Sequence, residues 1–113
     1  MALGGLLLGA ATIGLRAAAQ PKEQIIKILA RRFTYTPNKL SLKKGVPVVL
    51  ELTSADVLMG FNAPDFDVRA DIIPGKVARV RLVPDKVGTF TFLCDIFCGS
   101  GHETMNGTIT VVA

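Results

Sequence analysis

Residues 88–112, GTFTFLCDIFCGSGHETMNGTITVV, decide how the chain is read. The first six residues are rich in Thr and Phe, which suit a pleated, half-buried strand, and the last five (TITVV) suit one equally well. Between these two strands the loop 94–105 holds both cysteines of the protein and its only histidine. Cys94, Cys98, His102 and Met105 follow one another at offsets of four, four and three. Thiolate, imidazole and thioether are ligand types that suit copper, and their softness suits Cu(I) in particular. Gly99 and Gly101 permit the close backbone turns that would bring such side chains to one centre.

Other readings of the same residues stay open. Two cysteines in an exported chain form a disulfide as a rule. Structural zinc favours closely spaced Cys pairs completed by Cys or His, but a thioether is a poor zinc ligand. A Cys–His nucleophile would want one activated thiolate, and a second thiol four residues away invites oxidation instead. Met105 taken alone reads as core packing.

Upstream of the loop the pattern is short β-rich runs cut by turn residues. Gln24 to Ala30 (QIIKILA) reads as an apolar first strand. Phe33, Tyr35, Leu40 and Leu42 alternate around Pro37-Asn38, which predicts a bend or a change of strand partner. Lys43-Lys44-Gly45 reads as a turn. Residues 46–53 (VPVVLELT) read as a strand, with Pro47 at its edge or entry. Residues 54–67 (SADVLMGFNAPDFD) lack a clean period and are expected to form a loop with short extended pieces. Residues 68–73 suggest a brief strand ended by Pro74-Gly75, and residues 76–83 alternate well until Pro84-Asp85-Lys86 turns the chain. Asn106-Gly107 is expected to turn into the closing strand. About seven strands result, an all-β Greek-key β-sandwich with the candidate ligands on a loop at one end.

The N-terminus differs in kind. Residues 2–15 are apolar apart from Thr12, and they inflate a hydrophobic content of 50%. The run is shorter than the roughly 20 residues a helix needs to cross a bilayer. Arg16 and then Ala17-Ala18-Ala19-Gln20 follow, small residues of the kind found where exported precursors are cleaved. The expectation is an exported chain, with residues 1–19 a signal peptide or membrane-surface anchor and residues 20–113 the folded domain. The net charge of +4 is unevenly spread. Residues 1–50 carry eight Lys or Arg against Glu23 alone, whereas residues 51–113 carry five against eight acids. Basic pairs such as Arg31-Arg32 lack the interleaved aromatics that single-strand binders stack on, so nucleic acid is excluded as a partner. Asp95 and Glu103 in the loop, with Asp56, suggest an acidic rim that could steer a basic partner or a cation.

The string CDIFCGSGHETMNGTITVV resembles the ligand loop and closing strand of subunit II of cytochrome c oxidase. The same binuclear CuA pattern, C-x3-C-x3-H-x2-M, also occurs in nitrous oxide reductase. LTSADVLMGF (52–61) is similar to the segment that supplies the first histidine ligand of that family. IIPGKVARVRLVPDKVGTFTFLC (72–94) is similar to the strands leading to the loop. The resemblance runs from about Phe33 to Val112 and implies a cupredoxin domain. It implies bridging thiolates at Cys94 and Cys98, an imidazole at His102, a weak thioether at Met105 and a backbone-carbonyl ligand at Ile96.

One position departs from the pattern. Met59 stands where the family has its first histidine, so the site is expected to be either binuclear with Met59 as a ligand, or mononuclear with Met59 as hydrophobic filler. The chain has no Trp, so the aromatic patch through which many such subunits receive electrons is missing. Two functions follow. One is a periplasmic electron-transfer module working with a redox protein or respiratory oxidase. The other is a Cu(I) carrier that exchanges metal with a copper donor or acceptor. Neither makes the chain catalytic by itself.

Overall fold

The computed structural model describes residues 23–113, so the expected leader over residues 1–19 lies outside the described part. Among the described residues no helix is long and apolar enough to cross a membrane. The described residues form nine strands: β1 (Gln24–Arg31), β2 (Thr34–Thr36), β3 (Lys39–Lys43), β4 (Val48–Ser54), β5 (Met59–Ala63), β6 (Val68–Ile72), β7 (Ala78–Leu82), β8 (Gly88–Leu93) and β9 (Asn106–Val112). They form a four-stranded sheet in the order β2-β1-β4-β7 and a five-stranded sheet in the order β3-β9-β8-β5-β6. The fold is the all-β, two-sheet arrangement expected.

The strands form where side chains alternate between core and solvent. Along β4, Val48, Leu50 and Leu52 are buried while the residues between them are half-exposed. In β3 the buried residues are Leu40 and Leu42, in β7 Val80 and Leu82, and in β9 Gly107, Ile109 and Val111. These side chains meet in one core that no charged side chain enters among the described residues. Each fully buried Leu or Ile there contributes about 1.5–3 kcal/mol relative to exposure. The parallel pairing of β1 with β4, Ile28 opposite Leu52, and of β3 with β9, Leu40 opposite Ile109, brings distant parts of the chain together around it.

Two expectations need correction, and one alternative is decided. Residues 54–67 contain a real strand, β5, followed by a 3-10 turn at Pro64–Phe66. Its alternation is hidden because Gly60 and Ala63 are buried along with Met59 and Phe61, as befits a strand between two neighbours. Of the two outcomes expected around Pro37-Asn38, the structure has the change of partner: β2 pairs with β1 in one sheet and β3 pairs with β9 in the other. Asn106-Gly107 is not a turn. It already belongs to β9, opposite Leu93 and Phe92, and a 3-10 turn at His102–Thr104 reverses the chain earlier.

For the site the decisive feature is the position of β8. It lies inside the five-stranded sheet, between β9 and β5, and the loop 94–105 leaves it at the sheet end. β8 meets β5 at a single register pair, Asn62 opposite Leu93. Beyond that point the loop, and not a strand, faces the start of β5.

Candidate metal centre

Cys94 lies two residues beyond Phe92 and keeps its phase, so its thiol continues the core face of β8 and is 3% exposed. Asp95 then points the other way. Its carboxylate accepts two hydrogen bonds from Arg69, Nε to Oδ2 and Nη2 to Oδ1, each 2.7 Å. The remaining side of that guanidinium donates to Asp71 at 2.8 Å. This two-point grip fixes the first turn of the loop against β6. The Arg69 guanidinium beside it holds the Asp95 carboxyl below the ordinary carboxylate range.

The rest of the loop is shaped by its own backbone. Gly101 and His102 donate their N–H groups to the Gly99 carbonyl, and Met105 donates to the His102 carbonyl at 3.1 Å. Thr104 secures the same turn with its hydroxyl, which donates to the Gly101 carbonyl at 2.9 Å. Cys94 closes the loop by donating its N–H to the Met105 carbonyl at 3.2 Å. Phe33, from the turn between β1 and β2, lies against the glycines. A Cβ at Gly99 would come within 3.0 Å of its ring and one at Gly101 within 2.8 Å. Gly99 also has φ +138°, a conformation side chains rarely adopt.

These constraints bring four of the expected ligands together. Cys98 Sγ lies 3.9 Å from Cys94 Sγ, 3.8 Å from His102 Nδ1 and 3.9 Å from Met105 Sδ. The ligand atoms of Cys94, Cys98 and His102 all fall within 4.8 Å of one another. A tetrahedron with metal–sulfur bonds of about 2.3 Å has edges of roughly 3.7 Å, so the donors sit at the spacing one ion would need. Both cysteines are free, and no disulfide takes up their sulfurs. The Ile96 carbonyl is 3.2 Å from Cys94 Sγ, at the edge of the same cluster. Burial, reinforced by the neighbouring Cys94 thiol, pushes the Cys98 thiol up in the metal-free protein. Thioether, thiolate and imidazole together make a soft donor set that fits copper better than a hard cation.

Met59 opens β5 and is fully buried, in phase with Phe61 on the core face. It adjoins the cluster through its neighbour: Gly60 donates its N–H to Cys94 Sγ at 3.4 Å. A Cβ at Gly60 would meet the Asp95 carboxylate and have to displace it. Its carbonyl in turn accepts the Tyr35 hydroxyl at 2.7 Å. Burial, with Cys94 and Asp95 nearby, pushes that hydroxyl far above its ordinary value and keeps it a donor.

The expected acidic rim is largely spent on structure. Asp95 is held by Arg69, and Asp56 accepts the Arg32 N–H at 2.8 Å. Glu103 stays exposed at the loop surface. Beside the imidazole stands Phe97, 76% exposed, with ring centroids 5.9 Å apart. The supporting residues Phe33, Tyr35, Gly60 and Arg69 carried no metal signal in the sequence.

A sandwich with soft ligands on the loop between its last two strands defines a class, and the comparison with known sequences agrees. The Cupredoxin-like domain profile matches residues 4–111, and the chain belongs to that family. It is 34% identical over 91 residues to cytochrome c oxidase subunit 2 of Thermus thermophilus, covering 80% of this chain and 67% of the relative. Against a second, longer subunit 2 sequence from that organism it spans 54% of the length, so about half to two thirds of these relatives is represented. The periplasmic domain of subunit II of cytochrome oxidase (CoxB) of Bradyrhizobium japonicum superposes with a TM-score of 0.74 at 23% identity, covering 79% of this chain and 83% of that domain. The apo form of a copper binding protein superposes with a TM-score of 0.66 at 30% identity, covering 82% and 93%.

Proposed function

We propose that the protein is an exported, copper-binding electron carrier with a CuA-like site, working with a respiratory oxidase on the outer side of the cytoplasmic membrane. One observation carries the reading: Cys94, Cys98, His102 and Met105 converge within about one metal's coordination sphere on a loop held from three sides. Similarity to oxidase subunit 2 over most of the described chain supports the partner class. In this reading Cys94 and Cys98 hold the metal as thiolates, His102 and Met105 complete it, and the Ile96 carbonyl and Met59 are the remaining donors. Bound copper supplies a one-electron couple. The protein's part is to keep the donors in place so that little rearranges when the electron arrives or leaves.

A second reading is favoured by a specific residue. With Met59 in place of histidine, the donor set has more thioether and less imidazole, which favours Cu(I). A mononuclear Cu(I) carrier, handing metal to an acceptor, fits that shift, and a copper binding protein is among the chain's structural relatives.

Metal counting and spectroscopy on the purified, copper-loaded protein separate the two. Two coppers per chain with a delocalised mixed-valence EPR signal support electron transfer. A single, EPR-silent Cu(I) that passes readily to a chelating acceptor supports transport. A protein that takes up no copper at all removes both.

A further inference from the structure

We propose that Tyr35 is a positioning residue for the Cys94 thiolate, acting through the backbone of Gly60; the inference rests on the copper reading above. In an antiparallel strand the N–H and C=O of one residue point to the same side, and residues two apart share that side. Gly60 therefore points toward β8, as Asn62 does at the one pair the two strands share. β8 ends at Leu93, and two side chains stand where its backbone would have been. Cys94 Sγ accepts the Gly60 N–H at 3.4 Å, and the Tyr35 hydroxyl donates to the Gly60 carbonyl at 2.7 Å.

The clamp answers a local weakness. Glycine at position 60 leaves the Asp95 carboxylate its place beside Arg69, which a Cβ there would displace. Glycine is the residue whose own backbone constrains its orientation least. An N–H aimed at a metal-binding sulfur from such a residue needs an outside hold, and Tyr35 gives one. Its ring is located edge-on by Phe92, with centroids 5.0 Å apart, and by Phe61 at 6.2 Å. Phe61 follows Gly60 in sequence and Phe92 precedes Cys94 by two, so the hydroxyl is set by the same residues whose neighbours it aligns. An N–H donated to a thiolate is charge-assisted, and partners of this kind orient a ligand and tune how tightly it holds metal.

The test is Tyr35→Phe, which keeps the ring and removes only the hydroxyl. The expected result is a moved Gly60 amide resonance in the metal-free protein, together with Cu(I) affinity about tenfold weaker in competition with a chromogenic chelator. Leu50→Ala serves as the control, since it loosens the core at β4, a strand that supplies none of the residues named in the clamp; its Cu(I) affinity should stay within about threefold of wild type. Unchanged Cu(I) affinity in Tyr35→Phe overturns the proposal, whether or not the amide moves, and so does an equal loss in Leu50→Ala. Should Tyr35→Phe fail to fold, amide exchange in the wild type decides: protection of the Gly60 N–H matching that of Phe61 supports the clamp, and free exchange overturns it. Wild-type protein that binds no copper would overturn the copper reading and this inference with it. Copper-binding wild type with an equally competent Tyr35→Phe would overturn this inference alone.

Discussion

The four-stranded sheet and the ligand loop are built on opposite principles. In the sheet, order comes from apolar side chains in period two: Val48, Leu50 and Leu52 of β4 are buried against β1 and β7, and any similar aliphatic set would serve. The loop from Cys94 to Met105 buries few side chains of its own. Its shape comes from single contacts that no other residue type would reproduce: Arg69 on Asp95, Phe33 on two glycines, Tyr35 on Gly60. Stability is therefore spread over many residues of the sheet, while chemistry is concentrated in a few of the loop. Substitutions should separate accordingly, with loop changes altering metal binding at little cost in folding and sheet changes doing the reverse.

The sharpest way to break that contrast is Cys98→Ser. Cys98 lies within 4 Å of Cys94, His102 and Met105 alike, and it is only half-buried. Its loss should reduce Cu(I) affinity more than about a hundredfold, since a hard hydroxyl replaces the central soft donor. The denaturation midpoint of the metal-free protein should hardly move. A large loss of apo stability would show that the loop is part of the core after all. The counterpart in the sheet is Leu50→Ala. Leu50 is fully buried, so unfolding by urea should show about 2–5 kcal/mol of destabilisation. Below the new midpoint, copper per chain should match wild type.

The same division explains what the sequence disclosed. Strands β4, β7 and β8 alternate plainly because each presents one face to the core, and period two needs no partner to be seen. Cys94, Cys98, His102 and Met105 were legible because ligand chemistry leaves a spacing on one short loop. β5 was not legible, because Gly60 is buried through the approach of Asp95, a residue distant in sequence. Arg69 and Tyr35 were hidden for the same reason. Their roles arise only from pairings between strands, and nothing local distinguishes Arg69 from Arg79 or Arg81. The acidic rim misled because a carboxylate on a loop looks free until its cation is placed.

Met59→His sharpens the comparison at the boundary, since Met59 is buried in β5 and directly precedes Gly60, whose N–H reaches Cys94 Sγ. If its side chain reaches the metal, an imidazole there should lengthen the lifetime of the oxidised, copper-loaded form several-fold, as a harder donor favours Cu(II). Optical decay of the oxidised protein measures this directly. Equal lifetimes, with a drop in stability from placing a polar ring in an apolar pocket, would make Met59 part of the scaffold.

The smallest effect is expected at Arg69→Ala. Its partners Asp71 and Asp95 lie at the surface, with side chains 52% and 21% exposed, so water already screens much of the attraction. Exposed pairs of this kind contribute about 0.2–1 kcal/mol even with good geometry. The dependence on pH identifies the contribution. Asp95 has its folded-state pKa lowered by Arg69, so the stabilisation is complete above the unfolded carboxylate value of about 3.9 and fades as pH falls through the lower folded value. Metal-free wild type and Arg69→Ala should therefore differ at neutral pH and converge in acid. A difference that persisted in acid would assign Arg69 a packing role against the loop, because the methylene stem does not titrate. Either way the loop would keep its backbone turns and its hold on Phe33, so Cu(I) affinity should fall by no more than a few-fold.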